Sequence, residues 1–562
     1  MSQPTSALGR RTFVVGGLAA GSLLALPALP EIASAGAKPS YLRQNPFTLG
    51  VASGDPSPDG VVLWTRLAPT PLAEDGLGGM PNESVPVRWQ LAKDERFRHV
   101  VRQGTAIARP EHGHTVHVEL THLQDDREYW YRFRVGPYVT VTARTRTAPH
   151  PNDWGSKLEM SFVSCSQYEH GLFTAYGALA ADEPDLILHL GDYQYEYTKN
   201  AYVAPGGNVR DHEGPETITL ETYRQRHAQY KTDPHLQAAH AIAPWLVVWD
   251  DHELENNWAD ESPEAGTQTP AGEAFLTRRA AAFKAYYENM PLRRTSIPRG
   301  IDMQLYRRIR WGKLANFHML DTRQYRDDQG CNDGYKDCSA AVDPARSITG
   351  GKQEEWLIDG FHRSRARWDV IGQQVFFAQR DNNAGPLKVT SMDSWDGYVA
   401  SRSRITQGWL DADVRNPVVL TGDVHAHWAS ELKTDYDDPT GPSVGTELVC
   451  SSITSGGDGG DSNPADHPFL QINPHLKFYN NLRGYVRTTI SRDELRADFR
   501  CLPTVRSEGV PAFTRRSYVV EDGDRTLHQV YDKPPAAAAR ALAGADAQAI
   551  IDATVAWETA RP

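Results

Sequence analysis

At 562 residues, 40% hydrophobic and 23% charged, the chain is long enough for two folded domains and too apolar to be disordered. Its net charge of −12, with no dense lysine and arginine cluster, argues against nucleic acid as the main partner, because a phosphate-backbone binder needs a basic face.

The first predicted element is a targeting segment over residues 1–35. "SALGRRTFVVGGLAAGSLLALPALPEIASAGA" carries Arg10 and Arg11, then Phe13, a mildly apolar core rich in glycine and alanine, and small residues at Ala33 and Ala35. The pattern resembles a bacterial twin-arginine signal cleaved after Ala35. Its apolar core is short for a membrane-spanning helix. Export by the twin-arginine machinery, to the medium or the cell wall, is therefore expected, with no transmembrane segment. That pathway carries folded cargo, often with cofactors already loaded.

Residues 45–149 read as a small all-β domain. "DGVVLWTRL", "VPVRWQLA", "HTVHVELTHL" and "REYWYRFRVG" are rich in β-branched and aromatic residues and are separated by Gly, Pro and Asp. In the last, Tyr129, Tyr131, Phe133 and Val135 alternate with Trp130, Arg132 and Arg134, the period of a strand with one buried face. "LQDDREYWYRF" resembles the corner and penultimate strand of a fibronectin- or immunoglobulin-like sandwich.

From residue 157 to 533 the texture changes. "EMSFVSC", "PDLILHLGD", "PWLVVWDD", "LANFHMLD" and "NPVVLTGD" are apolar strands. Between them, "GLFTAYGALAADE", "LETYRQRHAQYKTDPHLQAAHA", "GEAFLTRRAAAFKAYYENM" and "GKQEEWLIDGFHRSRAR" have helical spacing. Continuous apolar strands predict sheets covered on both faces, an α/β architecture. After Pro534 and Pro535, residues up to 562 predict a closing helix.

Five cysteines occur, an odd number for an oxidising compartment. "CNDGYKDC" predicts a local Cys331–Cys338 disulfide, and Cys450 could pair with Cys501. Cys165 is then left over, and a spare thiol outside the cell is a liability unless it is buried or holds a metal.

Four apolar strands stop on a potential metal ligand: at Cys165, at Asp192 in "GDYQYEY", at Asp250 and Asp251 in "WDDHELENNW", and at Asp423 with His425 in "TGDVHAHW". One such aspartate means little, since aspartate commonly opens turns. Four in one chain predict a shared site, because ligands gather beyond the carboxyl ends of strands in α/β sheets.

The order "SC", "GDYQY", "DDHE", "GDVH" resembles the PhoD alkaline phosphatases, within the calcineurin-like and purple acid metallophosphoesterases. "YRQRHAQYKTDPHLQAAHAIAPWLVVWDDHELENNW" and "NFHMLDTRQYRDDQ" extend the likeness over residues 45 to about 530. The resemblance implies a catalytic domain built as an α+β sandwich of two mixed sheets flanked by helices. It also implies a secreted phosphatase that hydrolyses phosphate mono- and diesters by attack of metal-bound hydroxide.

The resemblance further implies a role for each strand end. Cys165 stands where the wider superfamily has aspartate, Asp192 is the bridging carboxylate and Tyr195 the tyrosinate. Asp251 replaces the asparagine before the catalytic histidine, which is His252, and Asp423 replaces the first histidine of the closing motif, while His425 keeps the second. Sorted by site, Cys165, Asp192, Tyr195 and His425 suit Fe3+, and Asp192, Asp251, Asp423 and Asn257 suit one or two Ca2+ ions. Asp250 and Glu253 are expected to support the ligands, and Arg226 and His427 to contact substrate. Two alternatives stay open: a phospholipase D-like phosphodiesterase acting on lipid head groups, and a metal-dependent binding protein without activity. The glycine-rich stretch 449–469 has no assigned role.

Overall fold

In the computed structural model, residues 43–461, 467–533 and 547–558 are described. The targeting segment lies outside them, as do residues 534–546 of the expected closing region, whose described part is the helix Ala547–Glu558. No helix among the described residues is long and apolar enough to cross a membrane.

Two mixed sheets carry the fold. The parallel centre of the first is formed by Leu158–Val163, Leu186–Leu190 and Pro244–Val248. Antiparallel strands from the C-terminal part, beginning with Gly484–Ile490, extend it on one side. The second sheet has Ala315–Met319, Trp368–Gly372, Pro417–Thr421 and Gly445–Val449 as its parallel centre. The predicted apolar strands are these parallel ones, and "LILHL", "PWLVV", "ANFHM" and "PVVLT" are buried at every position. Such strands lack alternation because both faces are covered. Phe162 and Leu188 of the first sheet share one core with Phe317, Val370 and Leu420 of the second. Helix Gly350–Arg363 packs Leu357 and Phe361 with Ile371 and Val419 on the outer side of the second sheet.

The helical run predicted over 220–241 is two helices, Leu220–Lys231 and Pro234–Ile242. Pro234 has no N–H to continue a helix, so it opens the next one, and the Asp233 side chain caps it by accepting from His235 N and Leu236 N.

The described N-terminal region is strand apart from one short 3-10 turn. Glu128–Val135 alternates half-buried and buried residues as its sequence predicts. The Tyr129 hydroxyl accepts from Gln124 N at 3.0 Å, the contact expected of the corner in "LQDDREYWYRF". Three strands of this region, Val51–Ser57, Gly60–Arg66 and Thr115–Leu120, join the first large sheet, where Val51–Ser57 runs parallel to Pro244–Val248. Hydrogen bonding is therefore continuous across the change of texture seen in the sequence.

Cys331 and Cys338 are bridged. Cys450 and Cys501 are not, which corrects the expected second pairing: both are buried free thiols. They close strands in different sheets, with Cys450 Sγ 3.5 Å from Ser164 Oγ and Cys501 Sγ 3.9 Å from Asn480 Oδ1.

Candidate metal centre

The parallel strands of both sheets deliver their carboxyl ends to one place. Cys165, Asp192 and His425 bring ligand atoms within 4.8 Å of one another, as do Asp192, Asp251 and His252, and also Asp250, Asp251 and Asp423. Two glycines make this convergence possible. A Cβ on Gly191, whose φ is +108°, would lie 2.4 Å from Asp250 Cβ, and a Cβ on Gly422 would lie 2.7 Å from Ser164 Cβ. Each glycine precedes an aspartate of the cluster, so the "GD" pairs mark strand ends in close approach.

The backbone carries a second mark. Cys165, Asp192, Asn257, Asp423 and His425 all have positive φ, between 47° and 63°. Non-glycine residues in this region cost on the order of 1–3 kcal/mol each and persist where the surroundings over-determine them, most often at functional sites. Five of the seven expected ligands share that conformation.

Around Tyr195 the polar atoms form a chain. Its hydroxyl donates to Asp192 Oδ2 at 2.7 Å, lies 3.3 Å from His425 Nε2 and accepts from Ser455 Oγ at 2.7 Å. Burial first, then the charges of Asp192 and Cys165, push the Tyr195 phenol well above its ordinary range. Burial and the charges of Asp192 and Asp423 do the same to the Cys165 thiol. A thiolate, a phenolate and several carboxylates cannot crowd together in a buried pocket without positive charge, and a cation held there would oppose both shifts. The donor set fits metal ions on that ground.

Neighbouring groups hold the clustered side chains. Glu253 accepts from Asp192 N at 3.1 Å, Tyr193 N at 2.6 Å and Asp250 N at 2.8 Å, tying two strand ends together. Arg323 donates through Nε to Asp250 Oδ1 at 2.5 Å, through Nη1 to Asp393 Oδ1 at 2.8 Å, and has Nη2 3.8 Å from Asp251 Oδ2. Against burial, which pushes it up, Arg323 and Arg326 hold the Asp393 carboxyl down at about 2. Asn257 N donates to Asp251 Oδ2 at 2.8 Å, and Asn257 Nδ2 to Asp333 Oδ2 at 2.7 Å.

His252 is buried, with Nδ1 2.8 Å from Glu196 Oε2 and its ring stacked on Tyr195 at 4.1 Å. Among the described residues its Nε2 has no hydrogen-bond partner. The two expected substrate contacts lie elsewhere. Arg226 is buried and gives Nη1 to the carbonyls of Tyr195 and Tyr197 and Nη2 to that of Pro215, so it braces the Tyr195 loop. His427 packs edge-on against Phe499 at 5.3 Å and accepts from Ser451 N at 3.0 Å, and burial lowers it to about 3, a neutral core histidine.

Sequence reasoning passed over Glu196, Arg323, Asp333 and Ser455. Glu196 and Arg323 lie inside stretches already singled out, "GDYQYEY" and "DTRQYRDDQ", where nothing separates them from ordinary surface charge.

The family model of the PhoD-like phosphatase matches residues 160–499, and that of the PhoD-like phosphatase N-terminal domain matches residues 32–149. Alkaline phosphatase D of Bacillus subtilis (strain 168) is 48% identical over 525 residues, 93% of this chain and 89% of that protein. A solved structure described as "Structure of PhoD" is 48% identical and superposes with a TM-score of 0.85 over 89% of this chain and 94% of that one. With the strand-end cluster, the two-sheet fold and matches over both parts of the chain, this protein belongs to the PhoD-like phosphatase family.

Proposed function

We propose that the chain hydrolyses phosphate mono- and diesters outside the cell, with Fe3+ held by Cys165, Asp192, Tyr195 and His425 and Ca2+ held by Asp192, Asp251, Asp423 and Asn257. One observation carries the reading: Asp192 is the shared member of two neighbouring clusters, one with Cys165 and His425 and one that includes Asp251. A carboxylate in that place can serve two ions at once. Thiolate and phenolate donors favour a trivalent ion, and the all-oxygen set favours a hard divalent one. When bound, paired cations lower the pKa of water from 15.7 to about 7 in favourable cases and stabilise charge on the attacking and leaving oxygens.

The remaining work falls to the protein. Glu196 fixes the ring of His252 through Nδ1, which leaves Nε2 to give a proton to the leaving oxygen. Arg323 offsets part of the carboxylate charge and fixes Asp250 beside Asp251. Arg226 keeps the Tyr195 loop in register with the strand ends. The paired arginines at 10 and 11 support twin-arginine export, which suits a protein that must fold around its metals first.

The test is metal analysis of protein purified without added metal, followed by rates on a phosphomonoester and a simple diester after chelation. Iron near one per chain, with activity lost to a calcium-selective chelator and restored by calcium more than by zinc, is expected. A zinc-only enzyme, or full activity in confirmed calcium-free protein, would overturn the assignment of ions.

A further inference from the structure

We infer that Ser455, in the glycine-rich stretch, is a positioning residue that holds the Tyr195 oxygen in its ligating state and sets its electron density. The inference rests on the reading of Tyr195 as a metal ligand.

Ser455 is fully buried. Its Oγ accepts from Gln167 N at 3.1 Å and donates to the Tyr195 oxygen at 2.7 Å, and Tyr195 in turn donates to Asp192 Oδ2 at 2.7 Å. The direction of this chain is set at its start. A backbone N–H can only donate, so Ser455 meets Gln167 as an acceptor and its single proton is free for Tyr195. The bond from Tyr195 to Asp192 needs the Tyr195 proton, whereas the Ser455 hydroxyl is aimed at the oxygen that would hold a cation and needs none of it. A hydrogen bond to the charged form favours that form, and a charge-assisted one is the stronger kind.

The loop is built to keep this donor in place. Ile453 N and Ser455 N both point at the Cys165 carbonyl, at 3.1 and 3.4 Å. Thr454 Oγ1 donates to Gln167 O at 2.6 Å, and Ser452 Oγ donates to Ser455 O at 2.6 Å. Ser455 is thereby tied to the same turn that presents Cys165, so the donor and the neighbouring ligand are held as one unit. This gives the glycine-rich stretch a function that its composition conceals.

The experiment uses full-length, iron-loaded protein carrying Ser455→Ala, Ser455→Thr or Tyr195→Phe, with folding checked by circular dichroism. Ser455→Ala is expected to move the visible charge-transfer band to lower energy, since a phenolate without its donor is more electron-rich. It is also expected to release iron to a competing chelator about 10- to 100-fold more readily, the usual effect of losing a supporting partner. Ser455→Thr keeps the hydroxyl and restores both readouts towards the parent. Should Ser455→Ala fail to fold, Ser455→Cys, a weaker donor of similar size, carries the same expectation with a smaller shift. A parental band and parental iron retention in the folded Ala or Cys variant would overturn the role of Ser455 and leave Tyr195 as a ligand. An unchanged band in Tyr195→Phe would instead remove the reading on which the inference stands.

Discussion

His252 Nδ1 lies 2.8 Å from Oε2 of Glu196, and the second carboxylate oxygen of Glu196 accepts from Asn256 N at 2.9 Å. One buried acid therefore aims the histidine and pins the loop beyond it. His252→Ala is expected to leave metal content nearly intact and to lower turnover by roughly 10²- to 10⁴-fold, the range for a proton-transfer group. Glu196→Gln keeps shape but not charge, and about 10- to 100-fold is expected. Single-turnover rates beside metal analysis check both; loss of metal in His252→Ala would make the ring a ligand instead.

Gly191 and Asp250 are in contact that admits no side chain. Gly191→Ala would put a Cβ 2.4 Å from Asp250 Cβ at a φ of +108°. Overpacking together with strain is expected to cost about 2–5 kcal/mol and to spoil the cluster, since Asp192 follows directly. Denaturant unfolding and metal stoichiometry report the two effects separately, and parental values for both would refute the close-approach argument.

The disulfide loop reaches the site through Asp333, which accepts from Asn257 Nδ2 at 2.7 Å. Cys331, Asn332 and Asp333 all have positive φ, a path that the Cys331–Cys338 bridge helps to hold. Reduction of that bridge, or Asp333→Ala, is expected to weaken calcium binding about 10- to 100-fold with iron retained. Calcium titration by calorimetry on oxidised and reduced protein decides it.

Thiol counting tests the unpaired cysteines. Denatured, unreduced, metal-free protein is expected to show free thiols at Cys165, Cys450 and Cys501, with only the 331–338 pair bridged. Peptide mapping that finds Cys450 joined to Cys501 would contradict the placement of those strands in separate sheets.

His427 supplies a pH test. Burial holds it at about 3 in the folded protein, below the 6.5 of an unfolded histidine, so the unfolded chain binds the proton first as pH falls. Its contribution is complete above about 6.5 and is lost progressively towards pH 3, at about 1.4 kcal/mol per unit within that window. His427→Phe cannot titrate. The stability gap between parent and variant is therefore expected to shift by about 2 kcal/mol in favour of the variant between pH 6.5 and 5, as read from urea midpoints.

The apolar parallel strands and the cluster at their ends were legible because two signals coincide along the chain: unbroken apolar runs, and an "SC", "GD" or "DD" where four of them stop. Cys165, Asp192, Asp251, Asp423 and His425 fall out of that pattern. Ser455 and Glu196 do not, since their significance lies in contacts with Tyr195 and His252, residues distant along the chain or indistinct from other charged positions. His427 sits two residues from His425 and Arg226 lies in the helix Leu220–Lys231; both look like phosphate contacts, yet burial commits Arg226 to backbone carbonyls and His427 to the core. Pairing two cysteines by elimination failed because parity carries no information about which sheet a strand joins. The merging of three N-terminal strands with the large sheet was hidden for the same reason: edge pairing is a property of the assembled backbone.

The strand that delivers Cys165 has neighbours of very different origin. Leu158–Val163 is flanked on one side by Leu186–Leu190, close behind it in the chain, and on the other by Gly484–Ile490, where Phe162 meets Val486. During synthesis the second partner arrives only after the greater part of the polypeptide has emerged, and contacts between such distant segments form slowly. Until then the strand is an apolar edge with open hydrogen-bonding groups, the kind of surface on which chains aggregate. A nascent chain ending before residue 484 would expose that edge, so the sheet that carries Cys165 is complete only once synthesis is nearly finished.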